Sequence, residues 1–158
     1  MQPRANYVKA SPSTYQAMAA LQAAVNDSGL EHALLELVKI RASQINGCAF
    51  CLDMHTKDAR AAGETEQRIY LLDAWREAGL YSDRERAALA WTEAVTRVAD
   101  GHVPDDVYAQ ARSEFSEEEL AKLTLAVVVI NGWNRFAIAF RSEAGHYQPR
   151  RTQRGPAA

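Results

Sequence analysis

The chain has 158 residues, of which 47% are hydrophobic and 24% are charged. These fractions are close to globular averages, and a domain of this length buries a core without disulfide staples, which excludes disordered, collagen-like and disulfide-scaffold proteins. The net charge of −2 provides no excess of Lys and Arg to neutralise phosphates, so we expect no nucleic-acid binding.

The sequence contains neither a typical secretory signal nor an apolar stretch long enough to span a membrane. Polar residues interrupt positions 1–9, which lack the apolar stretch and cleavage site of a secretory signal. The apolar stretch between Lys122 and Arg135 spans 12 residues, whereas a helix needs about 20 to cross a bilayer. We therefore expect a cytoplasmic protein without a membrane span.

Apolar residues recur at spacings of three and four along most of the chain, and sustained alternation with a period of two is absent. This pattern predicts an all-α fold, a compact domain of about seven helices. Turn residues and two capping boxes set the boundaries. In chain order, we predict helices over 11–27, 31–46, 48–62, 65–78 and 82–99, a short helix from 103, and a long helix over 116–142.

No linker or repeat divides the chain, so we predict one helical domain over residues 1–147 with a core over about 34–141. The remaining residues, 148–158, contain Arg150, Arg151 and Arg154 together with Pro and Gly. This composition predicts a flexible basic tail.

The two cysteines of the chain, Cys48 and Cys51, stand at the start of the third predicted helix, and His55 follows at i+7. These three positions share one face of a helix. Unpaired N–H groups and the helix dipole favour a thiolate in the first turn, which favours Cys48, whereas a neighbouring imidazole at i+4 favours Cys51. The residues alone leave open which sulfur is the nucleophile.

A tight reversal at Asn46 and Gly47 predicts that the second and third helices form an antiparallel pair, which brings Glu36 opposite His55. When a carboxylate contacts an imidazole and the imidazole contacts a thiol, the imidazole can take the thiol proton and generate a nucleophilic thiolate. Two alternatives stay open: the same four residues are suitable ligands for zinc, and isolated cysteines are often only buried small hydrophobes.

Several other polar residues lie where a functional or structural role is conceivable from the sequence. Asp58, at i+3 from His55, is placed to orient the imidazole, although a solvated helix face is the simpler interpretation. Arg135 lies in an apolar segment and needs a partner, for which Glu93 is a candidate. We assign no role to the remaining histidines, His32, His102 and His146.

The motif formed by Glu36, eleven intervening residues and the segment Cys48–His55 resembles the core of alkylhydroperoxidase D-like proteins, which belong to the carboxymuconolactone decarboxylase superfamily. The similarity extends from about Leu34 to Arg141 and includes the segment Asn131–Phe136, which looks like the family's last core helix.

This resemblance implies a thiol-dependent peroxidase that reduces alkyl hydroperoxides or hydrogen peroxide through a Cys48/Cys51 dithiol–disulfide cycle. Cys51 would attack the peroxide and Cys48 would resolve it, while Glu36 and His55 relay protons. In the best-characterised members a histidine stands between the cysteines, and this chain has Phe50 there. A further polar group that could relay protons at this position is therefore missing.

The resemblance also implies that no bound cofactor or metal is needed. It implies a homo-oligomer, with a hexamer or trimer favoured, and a thiol reductant such as a lipoyl-domain or thioredoxin-like protein. Two alternatives use the same residues: a protein disulfide oxidoreductase, and a metal-binding or redox-sensing module. A carboxymuconolactone decarboxylase-like activity ranks lower, because those members lack the paired cysteines.

Overall fold

A computed structural model describes residues 2–149, and within them the chain is helical without β-strands. The elements are α1 (Tyr7–Ala10), α2 (Pro12–Asn26), α3 (His32–Asn46), α4 (Ala49–Ala61), α5 (Glu66–Tyr70), a 3-10 turn (Leu72–Ala74), α6 (Asp83–Thr96), α7 (Val98–Gly101), α8 (Asp105–Glu114) and α9 (Glu117–Phe140). The predicted all-α fold is confirmed. Residues 150–158, which make up most of the predicted flexible tail, lie outside the described part of the chain.

The two α-helices beyond the seven predicted are, within the described residues, the short α1 and α7. The fourth predicted helix is shorter than expected. It ends at Tyr70 and is followed by a 3-10 turn. Ile69, Leu72 and Trp75 are all buried on either side of this break, and one straight helix from 65 to 78 is replaced by a bent path that buries them together. Tertiary packing here overrides local helix propensity.

Helix α3 is the central element of the fold and packs against α4, α6 and α9. Every residue from Leu34 to Ser43 is buried. Since a helix that is buried all round must be covered on each side, α3 divides the hydrophobic core into two clusters, one towards α2, α8 and α9 and one towards α4 and α5. Each Leu-sized side chain in these clusters stabilises the fold by about 1.5–3 kcal/mol.

The reversal between α3 and α4 is made by Gly47, whose φ of 67° lies in the left-handed region. Its N–H donates to the carbonyls of Ser43 and Gln44. The N–H of Cys48 donates to the carbonyl of Ser43 at 3.0 Å, so both residues of the turn satisfy the end of α3. This is the left-handed cap that favours glycine, and it makes α3 and α4 antiparallel, as predicted.

A buried network of amide side chains fastens this turn to α9. The Asn46 side-chain N–H2 donates to the oxygens of Asn134 at 2.8 Å and Asn131 at 3.0 Å. Asn134, which is fully buried, donates to the Ser43 hydroxyl at 3.1 Å, and Asn131 donates to Thr96 on α6 at 3.0 Å. Buried polar groups cost free energy unless they are paired, so the network fixes the position of the turn against two helices.

The expected pairing of Arg135 with Glu93 is wrong. Arg135 is exposed and donates to the carbonyl and side-chain oxygen of Asn131, one turn earlier. Glu93 is instead buried and accepts hydrogen bonds from Arg41, Trp75 and Arg76. It joins α3, α6 and the 3-10 region, while the Arg135 guanidinium reaches solvent and needs no buried carboxylate.

Helix α9 is long and apolar enough to cross a membrane when only its length and composition are considered. A single helix of this kind is weak evidence, because the core helix of a globular protein meets the same criteria. In this fold α9 packs against α2, α3 and α6. At Gly132 an added Cβ would lie 2.8 Å from Met18 Cε, so the glycine leaves room for the end of the Met18 side chain on α2.

We predict that Asn134→Ala lowers the free energy of unfolding by about 2–3 kcal/mol, because Asn46 and Ser43 lose a buried partner. Urea unfolding followed by circular dichroism measures the change. The control is Gln110→Ala at an exposed position of α8, which should change stability by less than about 0.5 kcal/mol. Equal effects of the two substitutions would contradict a structural role for the network.

Candidate functional site

Cys48 and Cys51 are joined by a disulfide and are both buried, with 1% and 2% of their surfaces exposed. Cys48 is the N-cap of α4, and its sulfur accepts a hydrogen bond from the Cys51 N–H at 3.4 Å. The cap therefore directs backbone N–H groups, and the positive end of the helix dipole, at the Cys48 sulfur. Ala137 of α9 and the partly buried Phe50 pack against the pair.

Glu36 and His55 meet across the α3–α4 interface, as the distance from the turn predicts. His55 Nδ1 and Glu36 Oε2 are 2.9 Å apart, and both side chains are buried. His55 lies one helical turn after Cys51 on the same face of α4. The structure thus brings the imidazole and the carboxylate into contact and places the disulfide at the N-terminus of α4, one helical turn before His55.

Lys39 completes the charge balance around Glu36 and was missed in the sequence reasoning. Its buried ammonium donates to Glu36 Oε1 at 2.8 Å. Burial raises the pKa of Glu36, but the hydrogen bond and charge of His55, followed by those of Lys39, outweigh it and lower the pKa to about 2. Glu36 is therefore a carboxylate at neutral pH. The pair could have been predicted from the sequence, because residues three apart on a helix, such as Glu36 and Lys39, lie close enough to form an ion pair.

His32 is a second residue that the sequence reasoning set aside. Its Nε2 lies 3.8 Å from Glu36 Oε1, and its side chain is largely exposed. His32 and Glu36 line a cleft of about 370 Å³ between the start of α3 and the end of α4. This cleft connects the buried carboxylate with solvent on the side away from the cysteines.

Glu36, His55 and Asp58 each place one potential ligand atom within 4.8 Å of the others. This set differs from the zinc site considered above, because it contains neither cysteine. The ammonium of Lys39 on Glu36 Oε1 repels a cation, and a metal would have to displace it. The chemistry that these groups support in their observed arrangement is proton transfer to and from a thiol.

The fold and the site define a helical protein with a dithiol–disulfide pair beside a buried acid–base pair. Residues 12–94 match the carboxymuconolactone decarboxylase family. The uncharacterised protein YdfG of Bacillus subtilis is 44% identical over 144 residues, which cover 91% of this chain and 98% of YdfG. The chain belongs to the carboxymuconolactone decarboxylase family.

A second relative, the uncharacterised protein YnjA of Escherichia coli, is 32% identical over 110 residues, which are 69% of this chain and 59% of YnjA. Among solved structures, a protein of unknown function from Agrobacterium tumefaciens, for which a role as the antioxidant defence protein AhpD has been suggested, superposes with a TM-score of 0.90 at 49% identity. The match covers 92% of this chain and all of that chain. The resemblance to alkylhydroperoxidase D-like proteins is therefore confirmed for family and fold.

More distant structures share the fold alone. A peroxidase-related protein from Silicibacter has a TM-score of 0.76 at 23% identity, and the match covers 89% of this chain and 76% of the Silicibacter chain. The debrominase Bmp8 has a TM-score of 0.77 at 18% identity, and the match covers 85% of this chain and 73% of the Bmp8 chain. Because these names describe different chemistry, the fold by itself does not select a reaction.

We predict that Glu36 contributes to stability in a pH-dependent way. Its pKa is lowered to about 2 in the folded protein, so its contribution is fully present above about pH 5 and is lost as the pH falls towards 2. Glu36→Gln should therefore destabilise the protein at pH 7 by up to about 3 kcal/mol, and the difference from wild type should shrink at pH 3.

Urea unfolding at pH 7, 5 and 3 measures this difference. The matched control is Glu118→Gln, which removes an exposed carboxylate paired with Lys122 on the surface of α9 and should have little effect at any pH. A difference between Glu36→Gln and wild type that stays constant from pH 7 to pH 3 would count against the lowered pKa.

Proposed function

We propose that the protein is a thiol-dependent peroxidase that reduces alkyl hydroperoxides or hydrogen peroxide. The observation that carries the proposal is the Cys48–Cys51 pair on the same helix face as His55, whose imidazole is held by the buried Glu36 carboxylate at 2.9 Å. Both the similarity to the Agrobacterium structure and this arrangement support the proposal.

The proposed cycle begins with Cys51 as a thiolate. Its sulfur attacks the terminal oxygen of the peroxide, the O–O bond breaks, and an alcohol or water leaves with a proton. Cys51 becomes a sulfenic acid, and the Cys48 sulfur then attacks it, forming the disulfide and releasing water. Two electrons pass from the dithiol to the peroxide, and an external dithiol must return them.

The assigned cysteine roles follow the resemblance to alkylhydroperoxidase D-like proteins, because the two physical effects act on different sulfurs and do not select the nucleophile. The helix cap stabilises a thiolate at Cys48, which suits a residue that attacks the sulfenic acid. The imidazole of His55, one turn from Cys51, would accept the proton of the Cys51 thiol and pass a proton to the departing alcohol or water. Glu36 holds the imidazole from Nδ1, which leaves Nε2 of the ring to exchange the proton.

A protein disulfide oxidoreductase is the second candidate. The observation that favours it is the same disulfide between cysteines three residues apart, which is sufficient for thiol–disulfide exchange without peroxide. In that case oxidised glutathione would oxidise the dithiol faster than a peroxide does.

A zinc-binding or redox-sensing module would instead retain stoichiometric zinc in the reduced protein and would lack peroxide turnover.

The proposal includes two kinds of partner. A thiol reductant, such as a lipoyl-domain or thioredoxin-like protein in a reducing cytoplasm, would regenerate the dithiol. A second copy of the chain would cover apolar side chains that remain exposed on α2 and α9, among them Leu21, Val128 and Ile138. Exposed apolar surface of this kind is typical of subunit interfaces. The resemblance to alkylhydroperoxidase D-like proteins favours a trimer or hexamer.

We predict that one equivalent of cumene hydroperoxide removes two free thiols from the reduced, metal-free protein. In Cys48→Ser the reaction should stop at a sulfenic acid on Cys51, which dimedone labelling and mass spectrometry detect. In Cys51→Ser the remaining thiol should react at least 100-fold more slowly. Survival of both thiols in the wild type would refute the peroxidase, and sulfenic acid on Cys48 would reverse the assigned roles.

We predict that His55→Gln and Glu36→Gln each lower the second-order rate of thiol oxidation by about 10²–10⁴-fold at pH 7, the range typical of a lost general acid–base group. Stopped-flow measurements on reduced protein provide the rates, and circular dichroism establishes that each variant is folded. Glu118→Gln is the control and should react like wild type. Rates of the two site variants within threefold of wild type would exclude a proton relay through this pair.

A further inference from the structure

The segment that follows α9 returns across the face of α4. We define residues 142–149 as the C-terminal strap; these residues are not helical. The strap lies beside the helix that begins with the cysteines and carries His55, although in the sequence it is about 90 residues away from them. None of the roles proposed above involves it.

Three contacts fasten the strap to α4. The Gly145 N–H donates to Asp53 Oδ2 at 2.8 Å, Lys57 Nζ donates to the carbonyl of Tyr147 at 3.0 Å, and the Tyr147 hydroxyl lies 2.7 and 3.0 Å from the two oxygens of Asp58. The hydrogen bond from Lys57, followed by that from Gly145, lowers the pKa of Asp53. The strap is thus held at successive turns of α4 by charged side chains.

The last contact links the strap to the candidate site. The carboxylate of Asp58 lies within 4.8 Å of the ligand atoms of both Glu36 and His55. It is half-buried, where charges are less screened than at the surface. Within residues 2–149, the charged groups shown beside the imidazole are Glu36 from α3 and Asp58 from α4. Lys39 and His32 lie against Glu36, and Tyr147 of the strap lies against Asp58.

We propose that Tyr147 is a positioning residue of the site, which acts through Asp58 on the Glu36–His55 pair and makes the C-terminal strap part of the site. By donating a hydrogen bond, the Tyr147 hydroxyl holds the Asp58 carboxylate in place beside the imidazole. A fixed carboxylate at this distance favours the imidazolium, the form of His55 that exists after it has accepted a proton. Its effect on peroxide turnover rests on the proposed function, whereas its effect on His55 does not.

The first test measures the protonation of His55 directly, in the disulfide form of the full chain, by NMR titration of the imidazole. Asp58→Asn should move the titration midpoint of His55 down by about half a pH unit or more, because a nearby negative charge is lost. Tyr147→Phe keeps the ring and removes only the hydroxyl, and it should move the midpoint in the same direction by less. In the double variant, Tyr147→Phe should add nothing to Asp58→Asn.

The matched control is Tyr70→Phe, which removes the hydroxyl of an exposed tyrosine on α5 and should leave the midpoint unchanged. A Tyr147→Phe midpoint equal to wild type would overturn the proposal. So would a shift from Tyr147→Phe that persists at full size in the Asp58→Asn background, since the tyrosine would then not act through Asp58.

The second test uses the rate of thiol oxidation by cumene hydroperoxide between pH 5 and 9. Tyr147→Phe should lower the rate about threefold to tenfold and shift the pH profile in the direction of the NMR midpoint, at an unchanged melting temperature. A loss of rate by the same factor at every pH would indicate a merely structural role and overturn the proposal. If wild type does not consume peroxide, the proposed function fails, and the NMR titration still decides the role of Tyr147.

Discussion

The left-handed backbone at Gly47 is the constraint on which the site depends. Because the chain reverses there in a single step, the distance of each residue from the turn determines its partner on the opposite helix. Glu36 meets His55 for this reason, and Cys48 becomes the N-cap of α4 rather than part of a loop. A side chain at position 47 would strain the turn and displace all of these groups together.

A buried carboxylate between α3 and α4 requires charged and hydrogen-bonding partners from both helices. A carboxylate as buried as Glu36 would be strongly disfavoured without its imidazole and ammonium partners. The amides of Asn46, Asn131 and Asn134 likewise pair with one another beside the turn, and Asn134 among them is fully buried. The polar groups of this region are therefore satisfied by one another, and each helix is needed to complete the set.

Spacing along single helices, and distance from one turn, were sufficient to predict the all-helical fold, the α3–α4 pair and the contact of Glu36 with His55. The sequence was less informative where partners come from distant parts of the chain. Glu93 pairs with Arg41 and Trp75, and the break after Tyr70 depends on what is buried around it, so neither follows from local periodicity. The approach of Tyr147 to Asp58 is likewise set by tertiary packing over 89 residues.

The burial of the two sulfurs has a kinetic consequence. A bulky thiol must approach one sulfur along the axis of the S–S bond, yet only 1% and 2% of the two cysteine surfaces are exposed. Such a reagent reacts only during transient local openings, so its observed rate is the intrinsic exchange rate multiplied by the open fraction. Each 1.4 kcal/mol of opening free energy slows the reaction of the bulky thiol tenfold. The mobility of Phe50 and of the N-terminus of α4 is therefore as important for reduction of the disulfide as the nucleophilicity of the thiol reductant.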